Sequence, residues 1–285
     1  MKEKSWICTL IVQLSLCIAV YTALNTGHNL LIHEGRPPID MHFLTVAGGF
    51  RPLQKQTLLL QQMATVAKTF KARFVVDISE VGGSDPLLRN ATSHLALKSM
   101  PWYTTGASEG QEKTYFLKKI KIAYGQTLDI IALDTVLFQD PSSSCGKDQI
   151  QWLTRTLKES DSDWRVVIGF HQLISCDYNF WKVKEEAPFE PLHKILLEHG
   201  VDAYMSMKIC DGHIHGQAKE SNDAGLMDKG PYLTSMDQNL VIKDEAVDGF
   251  FLHRISSLEM VTFVVKLTGE VEHGAPFKQR GKAAM

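Results

Sequence analysis

The chain has 285 residues, of which 44% are apolar, enough to fill the core of one large domain or two small ones. Its 30 basic and 32 acidic residues give a formal net charge of −2, which gives no reason to expect a nucleic acid or an acidic membrane surface as a partner. This composition also excludes a chain that is disordered throughout.

Near the start, residues 6–24 read WICTLIVQLSLCIAVYTAL, a run of nineteen residues without a formal charge. Such a run is long enough to cross a bilayer, and Lys2 and Lys4 before it favour a cytoplasmic N-terminus. We therefore expect residues 1–24 to be an uncleaved signal anchor, with the rest of the chain on the luminal or extracellular side. The alternative is a cleaved signal peptide, which would give a secreted protein.

The remainder divides into three predicted segments. Residues 25–40 are polar and end in Arg36-Pro37-Pro38, which is typical of a linker. A single domain is predicted over residues 41–270. Residues 271–285 end in a basic stretch of small residues and are predicted to be a flexible tail.

Three of the five cysteines lie outside the apolar run: Cys145, Cys176 and Cys210. They allow at most one disulfide within the chain, and the absence of a Cys-x-x-Cys spacing argues against a structural zinc site. The triplet Asn90-Ala91-Thr92 is a glycosylation signal, which would be used if the domain is luminal.

In the first half of the domain, strands and helices alternate. Residues 42–46 are a short apolar run ended by Gly48-Gly49 and predict a strand. Residues 53–70 carry helical spacing, and residues 74–76 predict another buried strand. Two further strands with a hairpin-like break between them are predicted at 120–124 and 128–133.

The second half continues this alternation and then becomes mainly β. Residues 148–160 have the pattern of an amphipathic helix and are followed by a strand at 164–168. Residues 189–199 have the pattern of a second such helix, which is followed by a strand at 201–205. Later strands are predicted at 239–242, 249–255 and 260–267. The whole pattern predicts a layered α/β domain whose functional loops follow the carboxyl ends of its strands.

Five of these segments, in order, resemble conserved blocks of the purple acid phosphatases. They are residues 101–106 (PWYTTG, leading into GNH[DE]), 131–135 (IALDT, an F-x-D-T strand), 148–153 (DQIQWL, a Q-x-x-W-L helix), 164–175 (WRVVIGFHQLIS, a VxGHHPxxS strand) and 201–206 (VDAYMS, before GHxH). The resemblance covers roughly residues 40–265. It implies the calcineurin-like metallophosphoesterase fold, a four-layer α/β/β/α sandwich with mixed sheets, here preceded by an N-terminal hydrophobic helix.

Catalysis in that family depends on two metal ions that clamp the phosphate and activate a hydroxide. Seven ligands come from five motifs: GDxG, GDxxY, GNH[DE], VxxH and GHxH. In this chain the resemblance places Gly48 at the GDxG aspartate, Ala107 at the asparagine and Phe170 at the VxxH histidine. Lys208 and Cys210 stand at the two GHxH histidines.

The remaining motif keeps one carboxylate. Glu80 stands at the GDxxY aspartate and Gly83 at its tyrosine. In the GNH[DE] motif, Ser108 stands at the histidine that would stabilise or protonate the substrate. Six losses among seven ligands leave no dinuclear centre, and Lys208 adds a repelling positive charge. We therefore expect a pseudo-enzyme without a cofactor, acting as a binding or scaffold domain for a protein or small-molecule partner that the sequence does not identify.

An alternative hypothesis retains weak phosphatase activity. Residues 212–215, GHIH, match GHxH five residues beyond the strand-aligned position, and an insertion would bring His213 and His215 into the site. Together with Glu80 and His171 they would hold one divalent metal ion. A hydrogen-bonded histidine at a strand end and a solvated loop are the ordinary interpretations of these residues.

Three further hypotheses concern charged side chains. The Lys208 ammonium would take over the charge of the lost metal if it lies near Glu80 or Asp77. Asp134 is predicted to cap a neighbouring loop and not to act as a base. Glu109 and Glu80 form an acid/base pair only if the fold brings them together.

Overall fold

The computed structural model describes residues 13–15, 40–106, 114–139, 144–173, 189–207, 231–235, 241–243, 249–273 and 276–279. The chain divides into two units, Met1–Pro37 and Pro38–Met285. In the first unit only residues 13–15 are described, and they are helical. No helix within the described ranges has both the length and the apolar character needed to cross a membrane. The anchor at residues 6–24 therefore gains no support from the structure and stays a prediction.

The described residues of the second unit form helices and strands with the following bounds. The helices are α1 (Leu53–Thr69), α2 (Pro86–Ala91), α3 (Leu95–Lys98), α4 (Ser144–Glu159) and α5 (Glu190–Glu198). The strands are β1 (Met41–Ala47), β2 (Val75–Ile78), β3 (Trp102–Thr104), β4 (Phe116–Lys121), β5 (Thr127–Ala132), β6 (Trp164–Ile168), β7 (Ala203–Met207), β8 (Pro231–Ser235), β9 (Val241–Lys243), β10 (Phe250–Ile255), β11 (Glu259–Val265), β12 (Val271–His273) and β13 (Phe277–Lys278).

These strands form two mixed sheets. The first has the order β12-β11-β10-β1-β2-β3, with β13 beside β11, and the second has the order β4-β5-β6-β7-β8-β9. β1, β2 and β3 are parallel to one another, as are β5, β6 and β7. The strands that flank these groups, β10 beside β1, β4 beside β5 and β8 beside β7, run antiparallel to their neighbours. Parallel strands end at the same edge of a sheet, so the loops after them converge there.

Side-chain alternation along the strands explains how the sheets pack. In β1, Phe43 lies in the apolar core between the two sheets, while Leu44 packs with Leu59 and Met63 of α1 on the outer face. In β7, Tyr204 lies in a third apolar cluster with α4 and α5. The order helix, sheet, sheet, helix follows, and the prediction of a mixed α/β domain with two mixed sheets is confirmed.

The strand predicted at 120–124 is displaced toward the N-terminus in the structure. β4 occupies Phe116–Lys121, and Ala123–Gly125 forms a tight turn into β5. Tyr124 and Gly125 both have positive φ, at 58° and 76°, which ends the extended conformation. The hairpin-like break was thus predicted, but the structure starts it within the segment that was assigned to the first strand.

Two strands lie inside the segment predicted to be a flexible tail. β12 and β13 both pair with β11. The chain reverses at Gly269, which has φ of 83°, and the Lys266 amide donates to the Glu270 carbonyl at 2.9 Å. The dipeptide Thr268-Gly269 is the turn signal that the sequence analysis left unused.

One polar cluster lies within the inter-sheet core. His253 of β10 is fully buried, with Nδ1 2.9 Å from the Thr262 hydroxyl and Nε2 3.0 Å from the Thr45 hydroxyl. Burial lowers the pKa of His253 to about 3, so the ring is neutral at ordinary pH. The histidine thus links β1, β10 and β11 without placing a charge in the core.

The packing of α1 can be tested with two adjacent leucines. Leu59 is fully buried against the first sheet, whereas Leu58 is 48% exposed. We expect Leu59→Ala to lower the free energy of unfolding by about 2–4 kcal/mol because it leaves a cavity. The control Leu58→Ala should cost no more than about 1 kcal/mol, as measured by urea unfolding. Equal losses would contradict this packing.

Candidate functional site

The loops that follow the parallel strands meet at one edge of the domain. On the first sheet, the Gly48 amide donates to the Ile78 carbonyl at 2.8 Å and so joins the ends of β1 and β2. On the second sheet, the Met207 amide donates to the Phe170 carbonyl at 3.1 Å. Gly48 and Phe170, two of the positions where the resemblance places metal ligands, therefore both lie at strand ends. Seven further candidate residues from the sequence analysis lie outside the described ranges: Ala107, Ser108, Glu109, Lys208, Cys210, His213 and His215.

Asp85 organises this edge. Its carboxylate is fully buried and accepts three hydrogen bonds: from the Leu87 amide at 2.7 Å, from the Gly49 amide at 2.6 Å and from the Ser79 hydroxyl at 2.5 Å. Asp85 precedes Pro86 at the start of α2, a favourable order for an N-cap followed by the first helical residue. One side chain thus fixes the loops after β1 and β2 to a helix N-terminus.

The space beside Gly48 is already occupied. A Cβ atom at Gly48 would collide with the Asp85 Oδ2 atom, and it would lie 2.7 Å from both Asp77 Oδ1 and Ser79 Cβ. Real Cβ atoms do not approach other atoms this closely, so a glycine is required here. The volume that an aspartate side chain would need at the GDxG position is filled by other carboxyl groups of this chain.

Asp77, on β2, is an unusual buried acid. It has no exposure to solvent, and neither of its carboxyl oxygens accepts a well-formed hydrogen bond from the described residues. Burial raises the pKa of Asp77 well above its usual value, and the Asp85 charge raises it further. The Arg51 guanidinium, which also donates to the Ala47 carbonyl at 2.7 Å, and the Thr104 hydroxyl oppose this shift. Asp77 therefore keeps its proton to a higher pH than an exposed aspartate does.

The loop after β2 carries Glu80 and Gly83. Ser79 anchors this loop through reciprocal bonds with Thr105, since its amide donates to the Thr105 hydroxyl at 2.9 Å and that hydroxyl donates to the Ser79 carbonyl at 2.7 Å. Glu80 is exposed, and Gly83 lies in the turn Gly82–Ser84. The one retained carboxylate therefore faces solvent at the rim of the site.

His171 and Phe170 form the opposite side of this edge. His171 Nδ1 lies 2.8 Å from the Thr135 hydroxyl and Nε2 lies 2.7 Å from the Gln139 side-chain amide. Its ring stacks on Phe189 at 5.4 Å, and burial lowers the pKa of His171, with the Glu80 charge opposing. Phe170 packs against the inter-sheet core. Both nitrogens of His171 are engaged by neighbours.

Asp134 caps the loop that holds His171. Its carboxylate accepts the Val136 amide at 3.2 Å, and its backbone exchanges two hydrogen bonds with the Gln149 side chain, at 2.8 and 2.9 Å. The prediction that Asp134 has a capping role is confirmed.

Sequence reasoning missed the residues that decide the geometry of this edge. Asp85, Ser79, Thr105 and Arg51 were not singled out, although Asp85-Pro86 is a recognisable helix-start signal. The positively charged side chain that acts on Asp77 is Arg51. The sequence analysis had proposed Lys208 for this role, and Lys208 lies outside the described residues. Within the described ranges, no three His, Cys, Asp or Glu side chains are arranged to hold a metal ion.

Comparisons with known proteins bear on the fold. No family model matches the sequence, and no curated protein sequence matches it. Among solved structures, the chain is similar to GAP50, the anchor in the inner membrane complex of Plasmodium, with 15% identity, a TM-score of 0.57, and coverage of 85% of this chain and 89% of that chain. This likeness shows a shared fold.

Two more distant structures were also found. One is a conserved uncharacterised protein, a predicted phosphoesterase, from Streptococcus pneumoniae (9% identity, TM-score 0.37, 86% of this chain and 99% of that one). The other is Vacuolar Protein Sorting 29 from Cryptosporidium parvum (12% identity, TM-score 0.38, 85% and 100%). Likeness at this level adds no argument of its own. The fold shared with GAP50 is therefore shown, while membership of the metallophosphoesterases, and kinship with purple acid phosphatases in particular, stay predictions.

The role of Asp85 can be tested by substitution. We expect Asp85→Ala to lower the free energy of unfolding by about 2–4 kcal/mol, because it removes a helix cap and leaves the Gly49 amide without an acceptor. The control is Asp134→Ala, whose carboxylate accepts only the Val136 amide at a more exposed site and should cost about 1 kcal/mol. Similar losses for the two variants in chemical denaturation would contradict the special role of Asp85.

The protonation of Asp77 predicts a pH dependence. Its pKa in the folded state exceeds the unfolded value of 3.8, so its contribution to stability is complete below that pH and is lost as the pH rises through the folded pKa. The variant Asp77→Asn has no such proton to lose. We expect the stability of Asp77→Asn relative to the wild type to increase as the pH rises above 4 in urea unfolding. A pH-independent difference would show that Asp77 is already charged.

Proposed function

We propose that this chain is a degenerate purple acid phosphatase-like domain that does not hydrolyse phosphate esters and serves as a binding or scaffold domain. The observation that carries this proposal is the filling of the Gly48 position by the carboxyl groups of Asp77 and Asp85. A dinuclear centre needs donors that converge on a common open space. At this strand end the space is closed by protein atoms.

Neither of these two carboxyl groups is suited to replace the lost ligand. Asp85 already accepts three hydrogen bonds that hold the loops in place. Asp77 carries a raised pKa, and a carboxyl group must lose its proton to bind a metal ion. The nearby Arg51 guanidinium further disfavours a cation through charge repulsion.

The second sheet contributes no stronger donors from its described residues. Phe170 presents an apolar ring where the family motif has a histidine. His171 would have to give up its contacts with Thr135 and Gln139 before either nitrogen could bind a metal. These contacts support the ordinary interpretation of His171 as a structural histidine.

The relationship to GAP50 agrees with a scaffold role. That protein is described as an anchor in the inner membrane complex of Plasmodium. By analogy, we place the present domain on the luminal or extracellular side of a membrane, held by residues 6–24. Its partner would be a protein or a small molecule that contacts the loops at the strand ends.

The proposal is tested by measuring the metal content of the purified full chain together with its release of p-nitrophenol from p-nitrophenyl phosphate between acid and neutral pH. We expect less than stoichiometric iron, zinc or manganese and no turnover. Stoichiometric metal with turnover that disappears in His213→Ala would overturn the proposal. That result would establish instead the weak phosphatase built on Glu80, His171, His213 and His215.

Restoring the lost aspartate should fail to restore a metal site. We expect Gly48→Asp to lower the free energy of unfolding by at least about 2 kcal/mol, because the new side chain collides with Asp85 and adds a buried charge. The double variant Gly48→Asp/Phe170→His should likewise bind no metal in equilibrium dialysis with manganese.

Gly125→Asp is the control for replacing a glycine with aspartate. A Cβ atom at Gly125 meets no atom within 4 Å, although its φ of +76° is strained for other residues. We expect a cost of about 1–2 kcal/mol there. A Gly48→Asp variant as stable as the wild type would show that the site has room for a ligand.

A further inference from the structure

β4 is an outermost strand with unused hydrogen-bonding groups. It pairs with β5 on one side, and none of the described strands lies on its other side. Its sequence is FLKKIK, and Leu117, Lys118, Lys119 and Lys121 are all exposed. An edge strand of this kind is a template for pairing with another extended chain.

The register shows which backbone groups face outward. The Ile122 amide donates to the Gln126 carbonyl at 2.7 Å, so Ile122 bonds toward β5. The backbone groups of an antiparallel strand point alternately toward and away from its neighbour. The amide and carbonyl groups of Leu117, Lys119 and Lys121 therefore point away from β5. The Lys121 carbonyl confirms this direction, since it accepts the Arg73 guanidinium at 2.6 Å. Among the described residues, none hydrogen-bonds to the outward amide and carbonyl groups of Leu117 and Lys119.

The charge of this edge is strongly positive although the whole chain has a formal charge of −2. Lys119 pairs with Asp161, but Lys118 and Lys121 form no ion pair with any residue in the described part of the chain. Arg73 lies beside Lys121 and adds a fourth basic group. Like charges repel, so this edge disfavours pairing with a second copy of itself and favours an acidic strand.

We propose that the outer edge of β4 binds an extended acidic segment of a partner protein by β-strand addition. The backbone groups of Leu117 and Lys119 supply the hydrogen bonds, and Lys118 and Lys121 pair with carboxylates of the added strand. The proposed pairing uses none of the residues discussed for the strand-end site, such as Gly48, Asp77, Asp85 and Phe170. The inference is therefore independent of whether that site is inactive.

The test uses the full chain and a fluorescent capped peptide with the repeat Glu-Glu-Val-Val, which places carboxylates on both faces of the added strand, because Lys118 and Lys121 lie on opposite faces of β4. A second peptide of the same sequence carries N-methyl groups on alternate residues, which removes amide donors and keeps the charge. We expect saturable binding of the first peptide in fluorescence anisotropy, at least about fivefold weaker binding of the second, and slower hydrogen exchange at Leu117 and Lys119.

The variant Lys118→Glu/Lys121→Glu should weaken binding of the first peptide at least about fivefold, because attraction becomes repulsion at two positions. The matched control is Lys68→Glu/Lys98→Glu, which makes the same charge change at exposed helix positions and should leave binding unchanged. If the edge variant does not fold by circular dichroism, Lys118→Gln/Lys121→Gln replaces it, with an expected loss of about twofold or more.

Several outcomes would overturn the proposal. Absence of binding would show that the lysines only protect the edge from self-association. Equal binding of the N-methylated peptide would show attraction of charge without strand addition. Binding to phosphatidylserine vesicles but not to the peptide would identify a membrane surface as the ligand. Equal weakening by the control pair would show a non-specific effect of net charge.

Discussion

The hydrogen bonds of the Asp85 carboxylate are the constraint on which the edge around the strand-end residue Gly48 depends. This one carboxylate accepts hydrogen bonds from the loop after β1, from the loop after β2 and from the first turn of α2. Once it occupies this position, Gly48 cannot carry a side chain. The absence of a side chain at Gly48 and the structural role of Asp85 are therefore two consequences of the same packing.

Two buried aspartates illustrate the difference between a satisfied and an unsatisfied acid. Both oxygens of Asp129 accept serine hydroxyls, from Ser160 at 2.6 Å and from Ser162 at 2.7 Å. Burial raises the pKa of Asp77, the neighbouring Asp85 carboxylate raises it further, and Asp77 has no comparable pair of hydroxyl donors. A buried acid without donors destabilises a fold, and such groups are concentrated at present or former functional sites.

The fold and a metal site at its strand ends have different requirements. The two sheets, the apolar core between them and the helices outside them are intact in the described residues, although the strand ends present Gly48 and Phe170. Core packing requires only apolar residues of suitable volume, whereas a metal site requires particular donors at particular positions. A chain can therefore form this arrangement of sheets and helices whichever residues stand at its strand ends.

The sequence by itself determined much of the secondary structure, because apolar periodicity is a local property. It predicted β6 at Trp164–Ile168 and placed α1 and α4 within a few residues, and the family blocks identified Gly48 and Phe170 as strand-end positions. Turns were harder, since the end of β4 depends on the positive φ of Tyr124.

Only the tertiary structure decided what surrounds those strand-end positions. The collision of a side chain at Gly48 with Asp85, and the engagement of both His171 nitrogens by Thr135 and Gln139, join residues more than thirty positions apart. No local pattern encodes such contacts. They arise because the packing of two sheets brings separate loops to one edge.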